Sequence, residues 1–379
     1  MTGQLYCPRC GFTVQPTPVP APCPRCRVPL TYRRDLPRDL KRGDLVGRGV
    51  WRYAPFLPPV EPVTLGEGGT PLVPSLRIGP NLGITLWFKL EGGNPSGSFK
   101  DRGAAVLVAV LRSFGIRAVA DDSSGNAGSA LAAYAARAGL QAQLFVPAYA
   151  SEKKLAQIRA YGAGLALVPG PRERAADAVR AACAADPGLA YASHNESPYF
   201  LEGLATLAYE LFEGLDGEVP DHVVAPVGGG GLFLGLGYGF ARLRALGWLA
   251  RAPRVHAAQA EACAPIARAA AQGLEEPAPA GSKDTVAEGI RIPRPPRGRE
   301  VLGLLRALGG AAVTVPEEEI LATRAELAER EGIYVEPTSA VAVAALRALV
   351  ARGAIRPGEE VVVPLTGSGL KAGSDAATG

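Results

Sequence analysis

The chain has 379 residues, of which 47% are hydrophobic and 20% are charged, and its formal net charge is +4. This length and composition predict a globular protein of two domains with a small appendage. The weak positive charge, without a concentrated basic stripe, argues against a nucleic-acid partner. We find no signal peptide and no apolar run of membrane-spanning length, so we expect a cytoplasmic protein without a membrane partner.

Two C-x-x-C pairs open the chain, Cys7 with Cys10 and Cys23 with Cys26, and twelve residues separate them. Four thiolates in paired turns suit a tetrahedral Zn²⁺ ion, and a reducing cytoplasm argues against disulfides. A redox pair or unpaired surface thiols are the alternatives. Because protein ligands would fill all four positions, we expect a structural zinc ribbon over residues 1–32.

Residues 33–62 are rich in Arg, Asp, Gly and Pro and predict a linker that ends in a docking segment. From residue 64 onward, short apolar runs alternate with Ala-rich helical stretches, which predicts an α/β fold with largely parallel sheets. The predicted strands are 86–90, 118–120, 143–146, 165–168, 222–227 and 361–365. The predicted helices are 103–114, 127–138, 153–161, 232–247, 317–331 and 339–351.

Lys100 follows a turn of small residues and Phe99, at the start of a predicted helix. A lysine in a shielded pocket at a helix N-terminus has its ammonium form disfavoured, and it can react as a neutral amine to form a Schiff base. Lys100 is therefore the candidate catalytic residue. Pyridoxal 5′-phosphate is the cofactor that such a lysine suggests, and it also needs a phosphate cradle and a partner for its ring.

The segment from Asp121 to Gly128 reads Asp-Asp-Ser-Ser-Gly-Asn-Ala-Gly and joins a predicted strand to a predicted helix. Ser123, Ser124 and Gly125 bring hydroxyls and backbone amides to the helix N-terminus, which suits a substrate carboxylate. The alternative is simple helix capping, which any one of these residues could provide.

Four consecutive glycines, Gly228, Gly229, Gly230 and Gly231, join the strand 222–227 to a predicted helix. Such a turn lets bare amides and the positive helix end converge on a phosphate group. A flexible turn is the alternative. The run lacks the Gly-Lys-Ser/Thr ending of a nucleotide P-loop, and its spacing does not match the dinucleotide fingerprint.

Thr366 follows the last predicted strand, in the segment Leu-Thr-Gly-Ser-Gly-Leu. A hydroxyl at the carboxyl end of a parallel strand faces the ligand crevice, where a neutral partner would leave a pyridine nitrogen unprotonated. A plain turn explains the segment equally well.

Together these motifs resemble the fold type II pyridoxal phosphate enzymes (the tryptophan synthase β-like group), and within them the threonine synthase branch, whose members often carry a zinc ribbon. The motifs begin at Lys89, include Lys100 and continue to the glycine turn after residue 365. The resemblance implies two doubly wound domains with the cofactor between them. It assigns residues 63–98 and 201–379 to a large cofactor-binding domain and 99–200 to a small substrate-binding domain, in a homodimer.

The resemblance also implies a role for each candidate residue. By this resemblance, Lys100 binds the cofactor aldehyde and transfers protons, and Asn126 hydrogen-bonds the cofactor's 3′ oxygen. Ser123, Ser124 and Gly125 bind the substrate carboxylate. The cofactor phosphate is bound by Gly228, Gly229, Gly230 and Gly231, and Thr366 faces the ring nitrogen.

The chain departs from that branch in two places. Well-studied threonine synthases have Asn-Ala-Gly-Asn in the phosphate loop, whereas this chain has plain glycines, as amino acid dehydratases do. Phe200 stands where those synthases have an arginine that grips the phosphate of O-phosphohomoserine, and loss of such a clamp would weaken substrate binding. The candidate replacements are Lys153, Lys154, Arg159 and His194.

Three functions follow from these observations. The leading one is a pyridoxal phosphate-dependent lyase that acts on a small amino acid as a threonine synthase, converting O-phosphohomoserine and water to threonine and phosphate. The alternative is a threonine/serine dehydratase, which needs no second anion pocket. The third is a regulatory paralogue without catalysis, which the intact Lys100 motif disfavours.

Overall fold

The computed structural model describes residues 2–37, 39–150, 152–170, 173–281 and 284–371. The strands are β1 (Gln4–Tyr6), β2 (Thr13–Val14), β3 (Thr31–Arg33), β4 (Leu72–Pro74), β5 (Thr85–Leu90), β6 (Ala118–Asp121), β7 (Gln141–Pro147), β8 (Gly164–Val168), β9 (Leu189–Tyr191), β10 (His222–Pro226), β11 (Arg254–Ala260), β12 (Ala312–Val315) and β13 (Glu360–Leu365). The helices are α1 (Ile78–Leu82), α2 (Lys100–Ser113), α3 (Asn126–Ala138), α4 (Glu152–Ala160), α5 (Glu173–Ala185), α6 (Pro198–Gly214), α7 (Gly231–Ala245), α8 (Pro265–Ala271), α9 (Gly298–Ala307), α10 (Glu317–Glu331) and α11 (Pro337–Ala351).

These elements belong to two compact units, one of residues 1–69 with 94–204 and one of residues 70–93 with the chain from 205 onward. The first unit has a parallel sheet in the order β8-β7-β6-β9 and a small antiparallel sheet in the order β2-β1-β3. The second has one sheet in the order β12-β11-β10-β13-β5-β4, parallel except for β4. The predicted α/β class with largely parallel sheets is confirmed. The predicted domain boundaries stay a prediction.

Apolar sequence explains which helices lie at the centre of each unit. Residues 101–111 of α2 and 338–346 of α11 are buried without interruption. A helix with no polar face is stable only when neighbours cover it on every side. The β1–β3 sheet shares the core of the first unit, because Leu5 and Tyr32 belong to the same buried cluster as α2 and α3.

The candidate loops all follow the carboxyl ends of parallel strands. Asp121 ends β6, the glycine run follows β10, and Thr366 follows β13. In open α/β sheets ligands bind at this end of the strands, so the fold places every predicted loop where binding is expected. None of the helices in the described ranges has the length and hydropathy needed to cross a lipid bilayer.

A buried histidine pair lies at the opposite end of the second sheet. The Ala311 backbone N–H donates to His256 Nδ1 (3.0 Å), so His256 Nε2 carries the hydrogen and donates to His222 Nδ1 (2.9 Å). His222 Nε2 then donates to Glu359 Oε2 (2.9 Å). Burial, and after it the electrostatic effect of neighbouring His222 on a second protonated ring, lowers the pKa of His256 to about 4 from its ordinary value of 6.5.

The free energy of unfolding is therefore expected to fall in mild acid. Because the unfolded chain binds a proton at His256 near pH 6.5 and the folded chain only near pH 4, protons favour unfolding. Keeping His256 neutral contributes about 3 kcal/mol to the free energy of unfolding above pH 6.5, and this contribution is lost as the pH falls to about 4. Urea unfolding of the wild type and of His256→Gln across this range measures it. A variant whose stability falls as steeply as that of the wild type would contradict the assignment.

Candidate active site

Lys100 begins α2 and is half-buried. Its Nζ lies 4.8 Å from the centroid of the Phe99 ring and 5.7 Å from that of the Phe200 ring. Asp101 fixes the preceding turn, because its carboxylate accepts the Ser96 backbone N–H (2.6 Å) and the Ser96 hydroxyl. The amine thus lies at a helix start beside two aromatic rings.

The segment before α3 has the features of an anion site. Ser123 is buried, Ser124 is half-buried, and Gly125 is the N-cap residue of α3 with no side-chain capping hydrogen bond. Ser123 Oγ instead accepts the Gly125 backbone N–H at 3.3 Å. Ser123 therefore bonds the amide just before the helix, and the first-turn amides that begin at Asn126 suit a carboxylate.

The glycine run forms a tight cradle at the start of α7, which begins at Gly231. Gly230 is its N-cap residue, again without a side-chain cap, and has φ +92°. A Cβ atom at Gly230 would lie 2.4 Å from Cγ2 of Val301. A glycine here, beside uncapped helix amides, fits a phosphate group bound at the helix N-terminus.

Replacing Gly230 by alanine is expected to weaken cofactor binding. The left-handed φ costs an alanine about 1–3 kcal/mol and the collision with Val301 moves the loop. We expect the dissociation constant of pyridoxal phosphate to rise by roughly 10-fold or more, measured by absorbance titration of apoprotein. Gly303→Ala is the matched control, because Gly303 is exposed in α9 with open space around it. Equal affinities of the two variants for pyridoxal phosphate would contradict the prediction that the glycine run binds the cofactor phosphate.

Thr366 is buried and its hydroxyl is held by two side chains at the start of α11. Its Oγ1 lies 2.9 Å from Ser339 Oγ and donates to Glu336 Oε1 at 3.3 Å. Ser339 Oγ also accepts the Gly367 backbone N–H (3.0 Å). The orientation of the Thr366 hydroxyl is therefore fixed. The sequence pattern gave no sign of Ser339 as its partner, because 27 residues separate the two positions.

The predicted site residues fall on both units. Lys100 and the segment Ser123, Ser124, Gly125 and Asn126 belong to the first unit, where α2 packs against α3. The glycine run and Thr366 belong to the second, after the hydrogen-bonded strands β10 and β13. Each predicted role remains a prediction, but each set of residues lies on adjacent elements of its unit.

The N-terminal cysteines form a compact cluster. The sulfur atoms of Cys7, Cys10, Cys23 and Cys26 all lie within 4.8 Å of one another, and Cys10 Sγ is 3.7 Å from Cys23 Sγ. Sulfurs bound 2.3 Å from a tetrahedral centre would be about 3.8 Å apart. The four thiols therefore fit one Zn²⁺ ion.

The segment between the two cysteine pairs contacts α6. The Tyr199 hydroxyl donates to the Thr17 carbonyl (2.7 Å), and the Tyr199 ring lies 5.7 Å from that of Tyr32 in β3. Tyr199 immediately precedes Phe200, whose ring faces Lys100. The cysteine-rich region thus holds a residue adjacent to the wall of the lysine pocket.

Phe200 is buried, and α2 accommodates it through Gly103, where a Cβ atom would lie 2.5 Å from the ring. Of the candidate replacements for the missing arginine, Arg159 pairs with Glu152 on the exposed face of α4. The side chains of Lys153 and Lys154 lie outside the described part of the structure. His194 is buried and bonded to Asp121, a contact that sequence reasoning missed.

Comparison with known proteins gives a family and relatives. A family profile described as "Pyridoxal-phosphate dependent enzyme" matches residues 63–367. The threonine synthase of Methanosarcina acetivorans is 38% identical over 373 residues, which cover 97% of this chain and 92% of the relative. The threonine synthase of Halalkalibacterium halodurans is 38% identical over 323 residues, which cover 84% of this chain and 88% of the relative.

Solved structures agree in fold. Maize serine racemase has a TM-score of 0.72 at 24% identity, covering 80% of this chain and 89% of that one, and at this identity it shows the fold alone. A threonine deaminase from T.th. has a TM-score of 0.67 at 29% identity, covering 79% of this chain and 92% of that one.

Proposed function

The chain belongs to the family of pyridoxal-phosphate dependent enzymes, and on that premise we propose that it converts O-phosphohomoserine and water to threonine and phosphate. The observation that carries the proposal is its similarity to a named threonine synthase along almost the whole chain. The intact lysine turn and the uncapped loops supply the groups that such an enzyme needs.

The proposed roles follow from the chemistry of the residues. Bound pyridoxal phosphate withdraws electrons from the substrate's Cα and so lets a proton leave that carbon. Lys100 would hold the cofactor's aldehyde carbon and move protons, while its aromatic walls limit exchange with water. The amides from Gly228 to Gly231 would bind the cofactor phosphate.

The remaining site residues would orient the reactants. Ser123, Ser124 and Gly125 would bind the substrate carboxylate and Asn126 the cofactor's 3′ oxygen. Thr366, whose oxygen lies beside Ser339 and Glu336, would contact the ring nitrogen with a neutral hydroxyl, and its hydrogen would turn from Glu336 to that nitrogen.

We further propose that the four cysteines bind one structural Zn²⁺ ion, because their spacing fits a closed tetrahedral site. The resemblance to threonine synthases supports a cytoplasmic homodimer that acts on a small amino acid. It also supports the division into a zinc ribbon, a linker and two domains at the boundaries given above.

A second candidate, threonine/serine dehydration with release of ammonia, is favoured by one observation. Phe200, an apolar residue, is buried beside Lys100 at the position where a phosphate-binding arginine is expected. A substrate that loses hydroxide needs no second anion pocket there.

An activity panel decides between these functions. The purified holoenzyme is incubated separately with O-phosphohomoserine, threonine and serine, and phosphate, threonine and 2-oxo acid are measured. Release of phosphate together with threonine supports the proposal, whereas 2-oxo acid alone supports the dehydratase. No product from any substrate, in a protein without the absorbance of lysine-bound cofactor, would indicate the non-catalytic paralogue.

A further inference from the structure

His194 lies between β9 and α6, in the segment that leads to Phe200. Its Nδ1 is 3.0 Å from Asp121 Oδ2, and its ring meets the Phe200 ring edge-on with the centroids 6.1 Å apart. Phe200 in turn faces Lys100 Nζ. His194 and Asp121 are both buried, so this pair lies inside the fold, one aromatic ring away from the lysine.

Asp121 determines what the imidazole can do. A carboxylate accepts the Nδ1–H, which fixes the ring orientation and makes Nε2 the nitrogen that exchanges its proton. The carboxylate also stabilises the protonated imidazole. Asp121 is the last residue of β6 and lies two residues before Ser123, where the segment proposed to bind the substrate carboxylate begins. His194 therefore lies near both parts of the proposed substrate site, through Asp121 at the carboxylate segment and through Phe200 at Lys100.

We infer that His194 binds the leaving phosphate of the substrate and protonates it, in place of the arginine that Phe200 replaces, with Asp121 as the residue that positions it. This inference rests on the proposed threonine synthase reaction. When the Cγ–O bond of the substrate breaks, its electron pair stays on the phosphate oxygen, and the pair left on Cβ by the loss of a proton forms a Cβ=Cγ bond. The Nε2 proton passes to that oxygen, hydrogen phosphate leaves, and the neutral imidazole regains a proton from solvent.

The charges around His194 distinguish it from an arginine. The negative groups near it are Asp121, Asp122 and Glu196. The Tyr191 hydroxyl donates a hydrogen bond to Asp122 (2.9 Å), and Glu196 pairs with Arg180. Lys100 lies beyond Phe200. The protonated pair of His194 and Asp121 is neutral overall, so it attracts phosphate less strongly than an arginine does. We therefore expect weak phosphate affinity that disappears when His194 loses its proton.

Nitrogen NMR tests the binding directly, because the chain has only three histidines. The ¹⁵N-histidine holoenzyme is titrated with 2-amino-5-phosphonopentanoate, which has a methylene in place of the ester oxygen and cannot release phosphate. The matched ligand without the phosphonate is norvaline. We expect the phosphonate to raise the titration midpoint of the His194 ring by about one pH unit or more, and norvaline to leave it unchanged. His194→Gln identifies the signals.

Kinetics test the proton transfer. His194→Gln should lower kcat for phosphate release by about 10²–10⁴-fold and remove the fall in activity at high pH, with a smaller change in KM. Asp121→Asn keeps the imidazole but should shift that fall to lower pH. His222→Gln is the matched control, because His222 is also buried and bonded to a carboxylate, and it should keep the wild-type pH profile. If His194→Gln does not fold, Asp121→Asn and the NMR titration still decide.

Two results would overturn the inference: a phosphonate that does not bind or binds without changing the His194 signals, and a His194→Gln enzyme with the wild-type pH profile. The activity panel judges the proposed function separately. Phosphate release by the wild type, together with unchanged His194 signals, would leave the threonine synthase reaction in place and reject the role of His194.

Discussion

Lys100→Ala is expected to lose pyridoxal phosphate-dependent activity, with kcat/KM lower by about 10²–10⁴-fold from the loss of proton transfer alone. The side chain that would hold the cofactor's aldehyde carbon is removed, while the phosphate cradle on the second unit is unchanged. The variant should still bind the cofactor weakly, but without the visible absorbance band of a lysine-bound form.

Two measurements check this prediction. Product formation is followed in the activity panel, and the wild-type holoenzyme is reduced with borohydride, digested and analysed by mass spectrometry for cofactor attached to Lys100. Lys41→Ala is the control, because Lys41 is exposed at the surface of the first unit. Cofactor attached to another lysine, or an active Lys100→Ala enzyme, would overturn the assignment of the whole site.

Loss of the proposed Zn²⁺ ion is expected to have the second largest effect. Cys7 and Cys23 are buried in the core cluster of the first unit together with Leu5 and Tyr32, so four unligated thiols would leave that core incomplete. A structural Zn²⁺ ion contributes on the order of 10 kcal/mol to the folding of small zinc domains. We expect Cys23→Ser to bind no zinc and to unfold about 10 °C below the wild type.

Metal analysis and calorimetry measure this effect. The wild type should contain one zinc ion per chain. Cys183→Ser is the control, since Cys183 is half-buried in α5 and lies outside the cysteine cluster. A Cys23→Ser protein with unchanged zinc content and thermal midpoint would contradict a structural metal site.

The sequence predicted the elements that have a strong local signal. The strands before Asp121 and Gly228 and the helix that starts at Lys100 combine apolar periodicity with glycine or small-residue turns, so they could be identified without the fold. The strands β1 to β3 are only two or three residues long and partly exposed, and such elements have too little periodicity to be recognised.

Contacts between distant parts of the chain could not be predicted. His194 and Asp121 are 73 positions apart, and Tyr199 and Thr17 are 182 apart. Neither residue of such a pair has a local pattern that points to its partner, because each contact forms only when a loop meets a strand end or a helix start in the folded unit. The identity of a candidate residue was therefore accessible from sequence, whereas the group that orients it was not.

The hydrogen bond from Tyr199 to Thr17 connects the proposed zinc site to the residue next to Phe200, which faces Lys100. If the four cysteines hold the proposed Zn²⁺ ion, its loss would loosen the segment that bonds to Tyr199, the residue next to Phe200. The proposed activity would then depend on the supply of zinc as well as on the supply of the cofactor.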